Sequence, residues 1–202
     1  SEHITRRDFL KISAVAGLSL GLGVAFGRRW LDQDDLIKVN KTYSLMGTVI
    51  NFSVLAFNKK QGEDAIEATR IEMERLISVF DHRNPGAQLA KLNQTGFLNQ
   101  PSPELVELLQ RAHSISALTG GAFDVTVKPF VDSLLDGKDA PNPVLPVVDY
   151  KNVAISSDEI IFTHPNMSIT LDGIAKGRVV DGGVAVLRSL GFENVLVEAG
   201  GD

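Results

Sequence analysis

The stretch from Glu63 to Phe80 constrains the fold more than any other. Ile66, Thr69, Met73, Leu76 and Phe80 recur there at spacings of three and four, while Glu63, Glu67, Arg70, Glu74 and Arg75 occupy the remaining positions. That stripe predicts an amphipathic helix with one face in a core. Immediately before it, Leu45 to Phe57 reads as a strand following the Met46-Gly47-Thr48 turn, with Val49, Phe52, Val54 and Phe57 as its β-branched and aromatic positions. Asp81 to Pro85 breaks the helix.

Further elements follow the same signals. Ser102 is placed to cap a helix whose first position is Pro103 and whose apolar face is Leu105, Leu108, Leu109, Ala112 and Ile115; Gly120 and Gly121 end it. Asp136 to Pro146 holds three prolines with Gly, Asp and Asn, which predicts an exposed loop. Asn152–Ser156, Glu159–Thr163 and Met167–Leu171 are short β-rich runs that suggest a meander. A helix begins near Ile174 or Ala175, carries Val180, Val184, Leu187 and Leu190 on one face, and stops at Gly191. Asn194 to Glu198 gives a last strand.

The amino-terminal residues stand apart from this pattern. Arg6, Arg7 and Lys11 precede Ile12–Gly27, sixteen residues without a charge. This resembles a twin-arginine export signal, and the run is short for a membrane span, which needs about 20 residues. A small-x-small site at Ala25-Phe26-Gly27 would allow cleavage and leave about 175 residues, enough for one domain with a proper core. Left uncut, the segment would be an inner-membrane anchor. Residues 1–27 are therefore expected to be signal, 28–42 linker, and 43–202 the folded domain.

Composition narrows the chemistry. The chain has no cysteine, which excludes disulfides, zinc–thiolate sites, iron–sulfur clusters and thiol nucleophiles. A net charge of −5 over 202 residues argues against binding nucleic acid, because that affinity comes mainly from clustered Lys and Arg. His3, His82, His113 and His164 show no metal-ligand spacing and read as surface or satisfied polar residues. No Gly-x-Ser-x-Gly elbow occurs.

Two glycine-bearing junctions can bear on a ligand. Asp172-Gly173-Ile174-Ala175-Lys176-Gly177 lies between a strand and a helix, where backbone N–H groups and a lysine suit an anion. The same residues also suit a tight connection with an exposed lysine. Gly120-Gly121-Ala122-Phe123-Asp124 either walls a pocket for a planar ligand or is a helix stop followed by a core Phe. At Met46-Gly47-Thr48 a turn explains the residues fully; the functional version is a flexible Met lying against an aromatic ring.

In order, Met46-Gly47-Thr48, Leu89-Ala90-Lys91-Leu92-Asn93, Gly120 to Val127, Gly173 to Gly177 with Asp181, and Gly200-Gly201-Asp202 resemble the ApbE family of FAD:protein FMN transferases. The resemblance spans about residues 43 to 202. It implies an α+β fold: a single ApbE-like, T-fold-related domain of mixed β-sheet with packed helices, C-terminally incomplete. It also implies magnesium-dependent transfer of FMN from FAD, as substrate, to a threonine hydroxyl of an acceptor flavoprotein, with release of AMP, in the bacterial periplasm.

By position, the resemblance assigns Met46 to the flavin site and Ala122, Phe123 and Asp124 to FAD contact. It places Lys176 at the cofactor and gives the Gly173 carbonyl a share in holding magnesium. Thr170 stands where the family carries an acidic residue, and Asp172, two places later, can substitute for it or be a simple turn aspartate. The family's Tyr or Trp after the first helix has Phe80 and His82 as its nearest counterparts, and that role is not carried over.

The family's portion beyond Gly-Gly-Asp, which supplies an Asp and a Thr to the metal, is expected to lie outside these residues. The 202 residues alone are expected to be inactive as a transferase, and a longer parent active. An FAD pyrophosphatase using water, and a non-catalytic periplasmic FAD-binding protein, are the alternatives.

Overall fold

A computed structural model describes residues 36–137 and 147–200. The expected signal, its cleavage site and most of the proline-rich loop lie outside these residues.

The first strand, β1, is Ile37–Leu45, and β2 is Thr48–Ala56. The domain thus begins inside the segment expected to be linker: residues 37–42 belong to β1. They do so because Ile37, Val39, Tyr43 and Leu45 alternate with Lys38, Asn40, Thr42 and Ser44, the period-two pattern of a strand with one covered face. Lys41 interrupts that alternation, and its ammonium reaches Glu63 at 2.9 Å. Leu45 pairs with Thr48, so Met46 and Gly47 alone make the hairpin turn. Both have positive φ, 54° and 69°, the type I′ conformation that matches strand twist.

Helix α1, Lys59–Phe80, starts at Asn58, whose side chain accepts from the Gln61 N–H. The residues expected on its inner face, Ile66, Thr69, Met73, Leu76 and Phe80, are all buried. Helix α2, Gln88–Thr95, and strand β3, Phe97–Asn99, come next. Helix α3, Pro103–Leu118, is capped by Ser102, which accepts from Leu105 N–H. A 3₁₀ turn at Val125–Val127 leads into α4, Lys128–Leu135, and a second at Tyr150–Asn152 leads into β4, Val153–Ile155. Strand β5 is Glu159–Phe162, helix α5 is Ala175–Ser189, and strand β6 is Val195–Ala199.

Among the described residues the strands form two three-stranded antiparallel sheets, ordered β1-β2-β6 and β3-β5-β4. The α+β architecture with packed helices matches the sequence reading. The third run of the expected meander does not. Met167–Leu171 forms no ladder, because the side chain of Asn93 stands in for a neighbouring strand: its Nδ2 donates to Ile169 O at 2.9 Å and its Oδ1 accepts from Ile169 N at 2.8 Å. A carboxamide supplies one donor and one acceptor at the spacing of a peptide group, so Ile169 is buried with both backbone groups satisfied.

Helix α1 covers the buried face of the β1-β2-β6 sheet, and α5 packs on α1. That second contact depends on small residues. A Cβ on Gly182 would come within 2.4 Å of Leu76 Cδ1, and one on Gly183 within 2.9 Å of Met73 Sδ. The close approach fixes where α5 begins, and its beginning is one wall of a cavity.

Candidate functional site

A cavity of about 540 Å³ opens where the β1–β2 turn, the end of α1 and the start of α5 meet. Met46 and Gly47 contribute the turn, and Ile77, Phe80, Ala175 and Val179 an apolar wall. Asp81, Arg83, Asp172 and Lys176 are its charged residues. An apolar wall with a few convergent polar groups is the usual make-up of a small-molecule site.

Met46 is an unusual occupant of its position. Type I′ turns favour Asn or Gly because a Cβ strains the left-handed conformation. A methionine held at φ 54° against a cavity places a polarizable side chain there at a cost in backbone energy.

Arg83 and Asp172 form an ion pair, Nη2 to Oδ2 at 2.8 Å and Nη1 to Oδ1 at 3.4 Å. Burial works to raise the Asp172 carboxyl, but hydrogen bonding and charge from Arg83, helped by His82 and Thr170, outweigh it and hold the group below the ordinary carboxylate range. Asp81 Oδ1 accepts from the Arg83 N–H at 2.9 Å, which shapes the loop that presents the guanidinium. His82 lies below its ordinary value, through burial and then the positive charge of Lys128.

Helix α5 begins without a side-chain cap. Its first turn bears Lys176, whose Nζ would stand 3.4 Å from a Cβ placed on Gly200; Thr48 Oγ1 would be 3.2 Å from the same point. The Met46-Gly47-Thr48 turn, Lys176 and Gly200 therefore converge, although they come from opposite ends of the described chain. Positive helix-end dipole and ammonium together favour an anion at this end.

The other sequence-expected residues form a second row. Thr170 N–H donates to Val125 O at 2.8 Å, and Thr170 Oγ1 accepts from Asp172 N–H at 3.2 Å. Phe123 packs on Gly173, where an added Cβ would lie 3.3 Å from its Cε2. Ala122 is exposed and does not line the cavity. Asp124 is held by the fold: Oδ1 accepts from Thr126 N–H at 2.8 Å and Thr126 Oγ1 at 2.6 Å, and Oδ2 accepts from Tyr150 N–H at 2.9 Å.

The described residues do not complete a magnesium site by themselves. Gly173 offers a carbonyl and Asp172 a carboxylate already paired with Arg83, whereas magnesium requires near-octahedral oxygen ligation. Among the described residues no group of three or more His, Cys, Asp or Glu side chains could hold a metal ion.

His113 departs from the expectation that the histidines are exposed or satisfied. Its Nε2 is buried without a hydrogen-bond partner, and its ring meets Tyr150 edge-on at 5.5 Å between centroids. Arg83 is the residue that sequence reasoning missed, since it belongs to none of the quoted motifs and its partner lies 89 positions away. Phe80, a nearest counterpart of the family aromatic, is buried in the cavity wall, while His82 does not line it.

Comparisons with known proteins identify the family and the fold. Residues 46–202 match the model of the ApbE family, and residues 3–23 match that of the twin-arginine translocation pathway signal sequence. The FAD:protein FMN transferase of Vibrio cholerae is 26% identical over 174 residues, covering 78% of this chain and 51% of that protein. The protein of the same name from Haemophilus influenzae is 26% identical over 167 residues, covering 74% and 47%. The chain thus spans about half the length of the curated relatives it matches.

Among solved structures, the ApbE protein from Thermotoga maritima superposes with a TM-score of 0.72 at 24% identity, over 82% of this chain and 57% of that one. The apo form of the Pseudomonas stutzeri flavinyl transferase ApbE gives 0.74 at 17% identity, over 83% and 60%. These likenesses establish a shared fold. With the family model matching most of its length, the chain belongs to the ApbE family.

Proposed function

We propose that this chain provides the FAD site of an FAD:protein FMN transferase that works in the periplasm after twin-arginine export. The observation that carries the reading is the cavity in which Met46 and an apolar wall lie beside Lys176 and the uncapped start of α5. A flavin dinucleotide joins a planar ring to an anionic diphosphate, and these walls offer one surface for each.

In the proposed reaction a threonine hydroxyl of an acceptor flavoprotein attacks the FMN phosphorus of FAD. A phosphorus–oxygen bond forms to the threonine, the bridging oxygen leaves with AMP, and the hydroxyl proton is released. Lys176 and the α5 N-terminus bind and orient the diphosphate, and Met46 lies against the ring. Phe123 and Gly173 support the Asp172 turn from behind. Ala122 and Asp124 belong to the reading as FAD contacts, with Asp124 having little acceptor capacity left to offer. Thr170 contributes by holding the Asp172 N–H. Magnesium enters as a dependence to be tested, with Gly173 as one ligand and the rest of the shell outside the described residues. Retention of the N-terminal segment would add association with the inner membrane.

Incubation of a longer parent that includes these residues with FAD, magnesium and a threonine-bearing flavoprotein tests the reading. Flavin fluorescence that stays with the acceptor on a denaturing gel, with equimolar AMP and loss of both on adding EDTA, is the expected result. Free FMN with AMP would mean that water is the acceptor. Unchanged bound FAD would make the chain a flavin-binding protein, which the lack of a metal cluster among the described residues favours as the second reading.

A further inference from the structure

The charged residues of the cavity are unevenly distributed. Arg83 is joined to Asp172 through both terminal nitrogens, and Asp81 Oδ1 lies 3.8 Å from its Nη1 while also holding its backbone N–H. One guanidinium is thus set among two carboxylates, and this end of the cavity carries net negative charge. A phosphate is disfavoured there by simple repulsion, whereas Lys176 and the first turn of α5 favour it on their own wall. The Arg83 side chain is nonetheless 67% exposed and lines the cavity, so its flat guanidinium remains accessible while two carboxylates hold it in place. A planar, delocalised cation whose best-directed donors are already paired still offers its faces to an aromatic ring.

We propose that Arg83, locked against Asp172, is a positioning residue that stacks on the uncharged planar ring of the ligand, and that the phosphates lie toward Lys176. The inference rests on the flavin-site reading above and adds to it a residue and an orientation. Arg83 orders the ligand by shape and plane, so a lysine, with the same charge and no plane, cannot replace it.

The test titrates the full chain with riboflavin, which has the ring and no phosphate, and with ADP, which has the diphosphate and no flavin. Wild type, Arg83→Lys and Arg83→Ala are compared by equilibrium fluorescence and calorimetry. Both variants are expected to weaken riboflavin about fivefold, the size of a partly exposed cation–π contact, and to leave ADP within about twofold. Riboflavin affinity in Arg83→Lys equal to wild type, or equal losses for riboflavin and ADP, would overturn the proposal. If the Arg83 variants fail to fold, Asp172→Asn keeps the guanidinium and loosens its lock; riboflavin is expected to weaken about twofold, and an unchanged value would overturn the proposal. Wild type that binds ADP and not riboflavin overturns the stacking role alone. Wild type that binds neither overturns the flavin-site reading with it.

Discussion

Gly182 faces Leu76 so closely that a single added carbon would sit 2.4 Å from Leu76 Cδ1. Gly182→Ala therefore forces the buried Leu76 side chain or α5 itself to shift. The clash is expected to exceed the gain in helix propensity and to destabilise by about 1–3 kcal/mol. Gly177, in the same helix, has nothing within 4 Å of its would-be Cβ. Gly177→Ala should stabilise by about 0.5–1 kcal/mol. Urea unfolding of the two variants checks the opposite signs.

Met46 opposes the preference of its own turn. Met46→Asn should stabilise the hairpin by about 1 kcal/mol, since Asn tolerates the left-handed region, while flavin binding weakens. Thermal melts with and without FAD separate the effects: the apo midpoint rises and the ligand-induced shift shrinks.

Lys176→Ala should weaken FAD retention about tenfold, the scale of one lost charge-assisted contact, with the fold intact. Equilibrium fluorescence reads the change, and an unaltered affinity would remove Lys176 from the site.

Asn93 acts as a surrogate strand. Asn93→Leu would leave the Ile169 N–H and C=O buried and unpaired, and is expected to cost about 2–4 kcal/mol. Asn93→Asp keeps the acceptor for the Ile169 N–H but sets a carboxylate oxygen against the Ile169 carbonyl, so it should destabilise as well. Hydrogen exchange at the Ile169 amide gives the local readout: fast in the Leu variant, slow in the Asp variant.

His113 makes stability depend on pH. Burial pushes its ring below the ordinary 6.5, and the Tyr150 backbone and Asp124 only partly offset this. The unfolded chain binds the proton more readily than the folded one, so stability is full above 6.5 and falls as pH drops below that value. His82 is lowered as well and adds a slope of the same sign. Urea midpoints measured from pH 7.5 to about 5 should decline in wild type, less in His113→Leu, and least with His82→Gln added.

Local pattern accounts for the elements the sequence disclosed, and long-range pairing for those it hid. Helix α1 was legible because its buried face repeats every three or four residues, and α3 because Ser102 and Pro103 mark its start. The alternation of β1 is also present, but its first six residues, 37–42, fall within the expected linker. Met167–Leu171 reads as a strand by composition, yet its partner is the side chain of Asn93, 76 positions away from Ile169. Met46 and Lys176 stand in ordered motifs, Asp172 adjoins one, and the three share a cavity. Arg83 lies in no such motif; only the tertiary fold brings it to Asp172. Asp124 shows the converse, a motif residue whose oxygens are engaged by Thr126 and Tyr150.

The register of β6 on β2 has a kinetic consequence. Asn51 donates to Glu198 across 147 positions of chain, and Lys176 meets Gly200 beside Thr48 only once that pairing has formed. Closing so long a loop is entropically slow relative to forming the β1–β2 hairpin, which needs only neighbours. The hairpin can thus present Met46 early, while the wall that carries Lys176 arrives late. Ligand capture should then report completed folding and be silent to every earlier state. In a chain whose residues 3–23 match a twin-arginine signal, an occupied cavity would mark a molecule whose two ends have already met.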